Sequence, residues 1–244
     1  MRVPGYVVRG GGAATVPLCA LSELGSIGPD RRRLIDGFER THTLTAYPLV
    51  EGHHTDERTS MTCVPNAYLS PLAIPKGGQR PGYGDRLWEM SASLLIAERL
   101  WLNTTRVIAM RCSQPVLSNV WWEMQLDNEK SEKALAVWLN SSLGITTVLA
   151  QRTSTRGGWI ANKKADLSRL PVLDTRELSL DQLTALSDLF DDLSESEFER
   201  LPAMEECPTR KALDDGISEI LGLPDLAVLR QLLASEPVVS NRRL

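Results

Sequence analysis

The sequence lacks any uninterrupted apolar run near the roughly 18 residues that a membrane-spanning helix needs, so no membrane passage is expected. Its opening residues, Met1-Arg2-Val3-Pro4-Gly5-Tyr6, offer neither the apolar block nor the small-residue cleavage site of a secretion signal. Cysteine is scarce: Cys19, Cys63, Cys112 and Cys207 stand far apart with no CxxC pair. That spacing argues against a disulfide framework and a cysteine-based zinc site, and points to a reducing, cytoplasmic setting. The GxxxxGK[ST] phosphate loop, a GxGxxG turn after a strand and the GxSxG elbow are all missing. Cys112 has no histidine at a spacing that suggests an activated nucleophile. His53-His54 with Asp56 and Glu57 is the one cluster resembling metal ligands. Adjacent histidines on a strand point to opposite faces, so neither a metal site nor a catalytic residue is assigned.

What remains is an ordinary globular composition with an uneven charge. The chain has 244 residues, 42% apolar and 24% charged, which suits one large domain or two small ones. The net charge of −4 divides into a formal +5 over residues 1–170 and −9 over residues 171–244. The densest basic run is Arg152, Arg156, Lys163, Lys164 and Arg169; the acidic run is Asp188, Asp191, Asp192, Glu195, Glu197, Glu199, Glu205 and Glu206. Either run can be a solvated face. The overall acidity excludes a general nucleic-acid coat protein but leaves room for a local phosphate-contacting face.

Residues 1–128 read as short strands and glycine-punctuated turns, with strand candidates at Thr43–Val50, Ser91–Ala97, Thr105–Cys112 and Val116–Met124. Arg31–Arg40 has the apolar spacing of a short helix. From Glu129 to Gln151 the pattern becomes helical, with Leu135, Trp138, Leu139, Leu143 and Leu149 in one stripe and Gly144 as the weak point. A short strand is predicted at Trp159-Ile160 and another at Arg169–Leu173. The last third is helical: Ser179 and Gln182 form a capping box, Lys211–Leu221 ends at Gly222, and Asp225–Ala234 precedes Pro237. The reading is an α+β fold, a strand-rich mixed body with a long scaffold helix and a small acidic helical subdomain, divided as residues 1–175 and 176–244.

Tryptophan outnumbers phenylalanine, six to three. Trp88, Trp101, Trp121, Trp122 and Trp138 sit among apolar residues and read as core. Trp159 lies between Arg156-Gly157-Gly158 and Asn162-Lys163-Lys164. Two readings stand: it stacks on or wedges against a base, or it anchors its loop to the body.

The order of several pieces resembles a known family. Leu139-Asn140-Ser141-Ser142-Leu143-Gly144 is followed by the basic glycine loop Arg152 to Arg156-Gly157-Gly158-Trp159 and then by Leu167-Ser168-Arg169-Leu170-Pro171-Val172. Upstream stand Asn103-Thr104-Thr105-Arg106 and Asn119-Val120-Trp121-Trp122; downstream stand Arg210-Lys211-Ala212-Leu213-Asp214 and Glu236-Pro237. This succession is similar to the target-recognition region of adenine-N6 DNA methyltransferases of restriction–modification and phage-defence systems. The chain departs from that family in lacking the glycine-rich S-adenosylmethionine loop and the (N/D/S)PP(Y/F/W) motif, since it holds no Pro-Pro dipeptide.

The resemblance therefore implies a recognition part without a catalytic part, with no cofactor of its own and S-adenosylmethionine in a partner methyltransferase subunit or other defence-complex protein. Double-stranded DNA is the implied ligand. The residues assigned to it are Arg152, Arg156, Lys163 and Lys164 as phosphate or base contacts, with Trp159 and Asn162 as base readers. Asn140 and Ser141 are assigned to capping or cross-linking neighbours instead. The alternative is a protein–protein interaction subunit of such a complex that makes no direct DNA contact.

Overall fold

The computed structural model of the protein describes residues 16–52, 57–151 and 159–240. In chain order the elements are β1 (Leu18–Ala20), α1 (Leu21–Leu24), β2 (Ser26–Ile27), α2 (Arg31–Gly37), β3 (Phe38–Thr41), β4 (Pro48–Val50), β5 (Thr62–Cys63), β6 (Ala67–Pro71), α3 (Tyr83–Trp88), β7 (Ala92–Ala97), β8 (Arg99–Trp101), β9 (Ala109–Ser118), β10 (Trp121–Gln125), α4 (Glu129–Asn140), α5 (Ser142–Gln151), β11 (Trp159–Ala161), α6 (Lys164–Leu167), β12 (Pro171–Leu173), α7 (Leu180–Leu193), α8 (Pro208–Leu221), α9 (Ala227–Ser235) and α10 (Pro237–Ser240). Mixed sheet and helix, with the helices concentrated towards the C-terminus, is the class that the sequence predicts.

The main sheet runs β2-β10-β7-β9-β4-β6-β3, and β5 joins it by pairing with β9. β4 and β5 lie parallel to β9, whereas β7 and β10 pair antiparallel. Because side chains alternate along a strand, each strand serves two faces. Val50 and Val116 enter the large core under α4 and the C-terminal helices, while Leu49 and Leu117 face a smaller cluster under α2 and α3. The large core extends from Cys19 to Val239.

Local chemistry fixes the ends of several elements. Asp30 caps α2 by accepting the Arg32 N–H at 2.8 Å. The Ser179–Gln182 capping box at α7 is present as predicted, and Gly222 ends α8 with φ 65°, a left-handed cap that suits glycine.

Four expectations are corrected. The helix predicted over Glu129–Gln151 is two helices, bent by 73° at Ser141 rather than at Gly144. The bend is built from polar side chains. Asn140 Oδ1 accepts from the Ile108 and Ala109 N–H groups, and its Nδ2 donates to the Ala109 and Ala136 carbonyls. Ser141 Oγ donates to the Trp138 carbonyl and accepts from the Gly144 N–H. A Cβ on Gly144 would stand 2.1 Å from the Trp138 carbonyl oxygen, so glycine there is what lets α5 fold back across the end of α4. The assignment of Asn140 and Ser141 to cross-linking is borne out.

The second correction concerns Val116–Met124, which turns at Asn119-Val120. Ser118 Oγ holds that turn by accepting from the Val120 and Trp121 N–H groups. The third is a disulfide: Cys63 and Cys112 stand in register on β5 and β9 with Cα atoms 4.8 Å apart and their sulfurs bonded. A separation of 49 residues hid this pairing, and it removes Cys112 as a nucleophile. The fourth is Trp101. Trp121, Trp122 and Trp138 are buried as predicted, but Trp101 is 57% exposed.

Candidate nucleic-acid interface

β8 and β11 form a two-stranded antiparallel ribbon apart from the main sheet, with Trp159 opposite Trp101, Ile160 opposite Leu100 and Ala161 opposite Arg99. Leu100 and Ile160 point inward and are fully buried, so Arg99, Trp101, Trp159 and Ala161 share the outward face. The two indole rings are tilted by 37° with centroids 6.2 Å apart. The Arg99 guanidinium lies 5.7 Å from the Trp159 ring centroid, within cation–π range.

Beside the ribbon lies a polar cleft of about 190 Å³ lined by Asp30, Arg31, Arg32, Glu98, Arg99 and Asn119. It brings the first turn of α2 against β8. Arg31, Arg32, Arg33 and Lys163 are exposed and form no salt bridge with a described residue. Arg99 has Glu98 as a distant partner at 3.8 Å. Asp30 is engaged with the α2 N-terminus. The outcome is a strip in which cations outnumber the Asp30 and Glu98 carboxylates, on a protein whose net charge is negative.

Of the predicted site residues, Arg152 and Arg156 lie outside the described residues, as do His53, His54 and Asp56 of the histidine cluster. Trp159 sits on the outward ribbon face, half-buried. Lys163 stands exposed before α6. Asn162 is tied into the fold: its N–H donates to the Glu98 carbonyl at 2.7 Å, its Nδ2 to the Ala97 carbonyl at 2.9 Å, and its carbonyl accepts the Trp122 indole N–H at 2.8 Å. Lys164 Nζ donates to the Ile27 and Gly28 carbonyls, each at 2.8 Å. Burial, and then the charge of Arg33, lower its pKa. Sequence reasoning missed Arg31-Arg32-Arg33 and Arg99. The triple arginine was visible as a charge run, but nothing in the sequence placed α2 against β8.

Beneath the strip lies a buried carboxyl. Glu123 is fully buried; Oε1 accepts the Ser118 N–H, and Oε2 has no partner. Burial pushes its pKa up to about 8, opposed by backbone N–H donors and by Lys164. Burial thus favours its protonated form, which carries no charge.

No group of three or more His, Cys, Asp or Glu side chains among the described residues could hold a metal ion. No single helix among them is long and apolar enough to cross a membrane; α4 and α5 reach that length only together, across their bend. A second, apolar cavity of about 410 Å³ lies between α5, β1 and the turn from α8 to α9, lined by residues including Leu18, Trp138, Leu143 and Leu226.

No protein-family model matches the sequence, and no curated protein matches it. Among solved structures the chain is similar to part of the type IIG restriction endonuclease BpuSI, with a TM-score of 0.43 and 16% identity, covering 61% of this chain. The chain spans less than a fifth of that enzyme, 18% of its length.

Proposed function

We propose that this chain is a DNA target-recognition module that holds a duplex while a separate adenine-N6 methyltransferase part, carrying S-adenosylmethionine, performs the reaction. The observation that carries this reading is the meeting of Arg31, Arg32 and Arg99 in one cleft beside the ribbon, where they outnumber the Asp30 and Glu98 carboxylates, with Arg33 and Lys163 exposed and without a salt bridge to a described residue. Phosphate contacts fix register and supply most of the salt-dependent affinity, whereas base edges supply specificity. The order of the Leu139–Gly144, Arg152–Trp159 and Leu167–Val172 pieces agrees with such a module. In this reading Arg152 and Arg156 are further phosphate or base contacts and Trp159 faces the bases. Asn162 serves as the bracket of the ribbon and Lys164 as the clamp on the β2 turn.

The test is the double charge reversal Arg32→Glu with Lys163→Glu. Duplex affinity is expected to fall at least tenfold at fixed salt. The slope of log K against log salt should become shallower by about 2, the equivalent of two phosphate contacts. Unchanged affinity and slope would overturn the assignment. A second reading, an interaction subunit that makes no DNA contact, is favoured by the apolar cavity beside α5. It predicts that Leu143→Asp abolishes capture of the methyltransferase subunit while the double reversal has no effect on any measured binding.

A further inference from the structure

The Trp101 indole meets the Trp159 ring on one side and is otherwise largely exposed, at 57%. Its strand neighbour Leu100 is fully buried, and Trp121, Trp122 and Trp138 all lie in the core. Trp101 instead stands on the outward face of the ribbon. Its backbone is rigid there: its carbonyl accepts the Thr104 N–H at 2.9 Å and the Thr105 N–H at 2.8 Å, and its partner strand continues into the Asn162 bracket. Beside it the Trp159 ring carries the Arg99 guanidinium 5.7 Å from its centroid. Arg99, Trp159 and Trp101 thus form a row of flat groups that ends, at Trp101, in open solvent.

We infer that Trp101 is the stacking platform for a base that has left the helix, so that the preferred ligand of this strip is a duplex with one extrahelical base. The inference rests on the DNA reading above and deepens it. An unpaired base presents two π faces, and base–aromatic stacking tolerates any base. Chemistry on a base requires it to leave the stack, at a cost of a few kcal/mol. A recognition module that stacks on the displaced base offsets part of that cost. Charge complementarity places the flanking phosphates: Arg99 is two residues from Trp101 on the same face, and Arg31 and Arg32 line the cleft that Arg99 joins. The row of rings reads no base edge, so it contributes affinity for displaced bases in general, and sequence discrimination falls to other groups.

The experiment compares a perfect duplex with the same duplex carrying one extrahelical adenine, at low and constant salt, by fluorescence anisotropy and by tryptophan quenching. The wild-type protein should bind the bulged duplex about tenfold more tightly, a difference within the range of one base–aromatic stack. Trp101→Ala should abolish that preference and the associated quench while changing affinity for the perfect duplex less than threefold. Trp101→Tyr, which keeps a stacking ring, should retain most of the preference, and this guards against loss through misfolding. Equal binding of both duplexes by the wild type, or a preference that survives Trp101→Ala, overturns the inference and leaves the DNA reading standing. Binding of neither duplex overturns both.

Discussion

The bend between α4 and α5 and the strip beside β8 are both rich in arginine and asparagine, yet they use these residues in opposite ways. At the bend Arg210 is fully buried, donates to the Asn140 and Arg106 carbonyls, and lies 4.9 Å from the Phe198 ring centroid. Burial lowers its pKa, opposed by the Asp214 carboxylate. Asp214 joins the same knot, accepting the Ser142 N–H and O–H and the Arg230 guanidinium. At the strip, Arg31, Arg32 and Arg33 meet solvent. A cation buried in a low-dielectric interior must find its partners within the chain. A cation left without one on the surface keeps its capacity to meet an anion from outside.

Breaking the bend should have the largest effect. Asp214→Ala leaves the Arg230 guanidinium buried without its carboxylate and strips Ser142 of both acceptors. The expected loss is about 3–5 kcal/mol of folding stability, read as a large fall in the denaturant midpoint. A loss under about 1 kcal/mol, the range of an exposed ion pair, would show that water reaches the knot freely.

Glu123 sharpens the comparison, because it is a buried carboxyl without a full set of partners. Its folded pKa of about 8 lies above the ordinary value of 4.5. A carboxyl that binds its proton more tightly when folded contributes stability that is complete below about pH 4.5, declines as pH rises, and is gone above about pH 8. Glu123→Gln keeps an acceptor for the Ser118 N–H and cannot ionise. The variant should lose this decline, on the order of a few kcal/mol between pH 5 and pH 8, and should melt higher than wild type at pH 9. Parallel melting curves for the two proteins across that range would count against a protonated Glu123.

Gly144→Ala tests the steric side of the bend. The added methyl meets the Trp138 carbonyl and the Leu139 backbone, neither of which can rotate away. A loss of about 1–3 kcal/mol is expected, with the near-ultraviolet tryptophan signal altered through Trp138. A neutral substitution would mean that α5 can move away from α4.

The same contrast explains what the sequence disclosed. Patterns that close within a few residues were legible: the Ser179–Gln182 box, the Gly222 stop, and the polar role of Asn140 and Ser141 next to an apolar stripe. Features that depend on distant strands meeting were not. Cys63 meets Cys112 through β5 and β9, and Arg31 meets Arg99 because β2 is carried to the edge of β10. Trp101 has apolar neighbours in Leu100 and Leu102, the setting of a core residue. On a two-stranded ribbon, however, alternation turns every second residue outward, and the flanking leucines carry the burial alone.

The smallest effect on stability should come from the arginines that matter most for the proposed binding. Arg31→Ser with Arg32→Ser removes two exposed guanidinium groups that have no ion-pair partner among the described residues. The Arg32 backbone N–H, which Asp30 needs for the α2 cap, is retained. Folding stability should stay within about 0.5 kcal/mol of wild type, while affinity for any duplex falls several-fold and its salt slope flattens. If the variant instead melts markedly lower, these arginines hold the fold together as Arg210 does, and the distinction between the two regions disappears. If stability and DNA affinity are both unchanged, the strip is only a solvated face, and the ligand of this protein lies elsewhere on its surface.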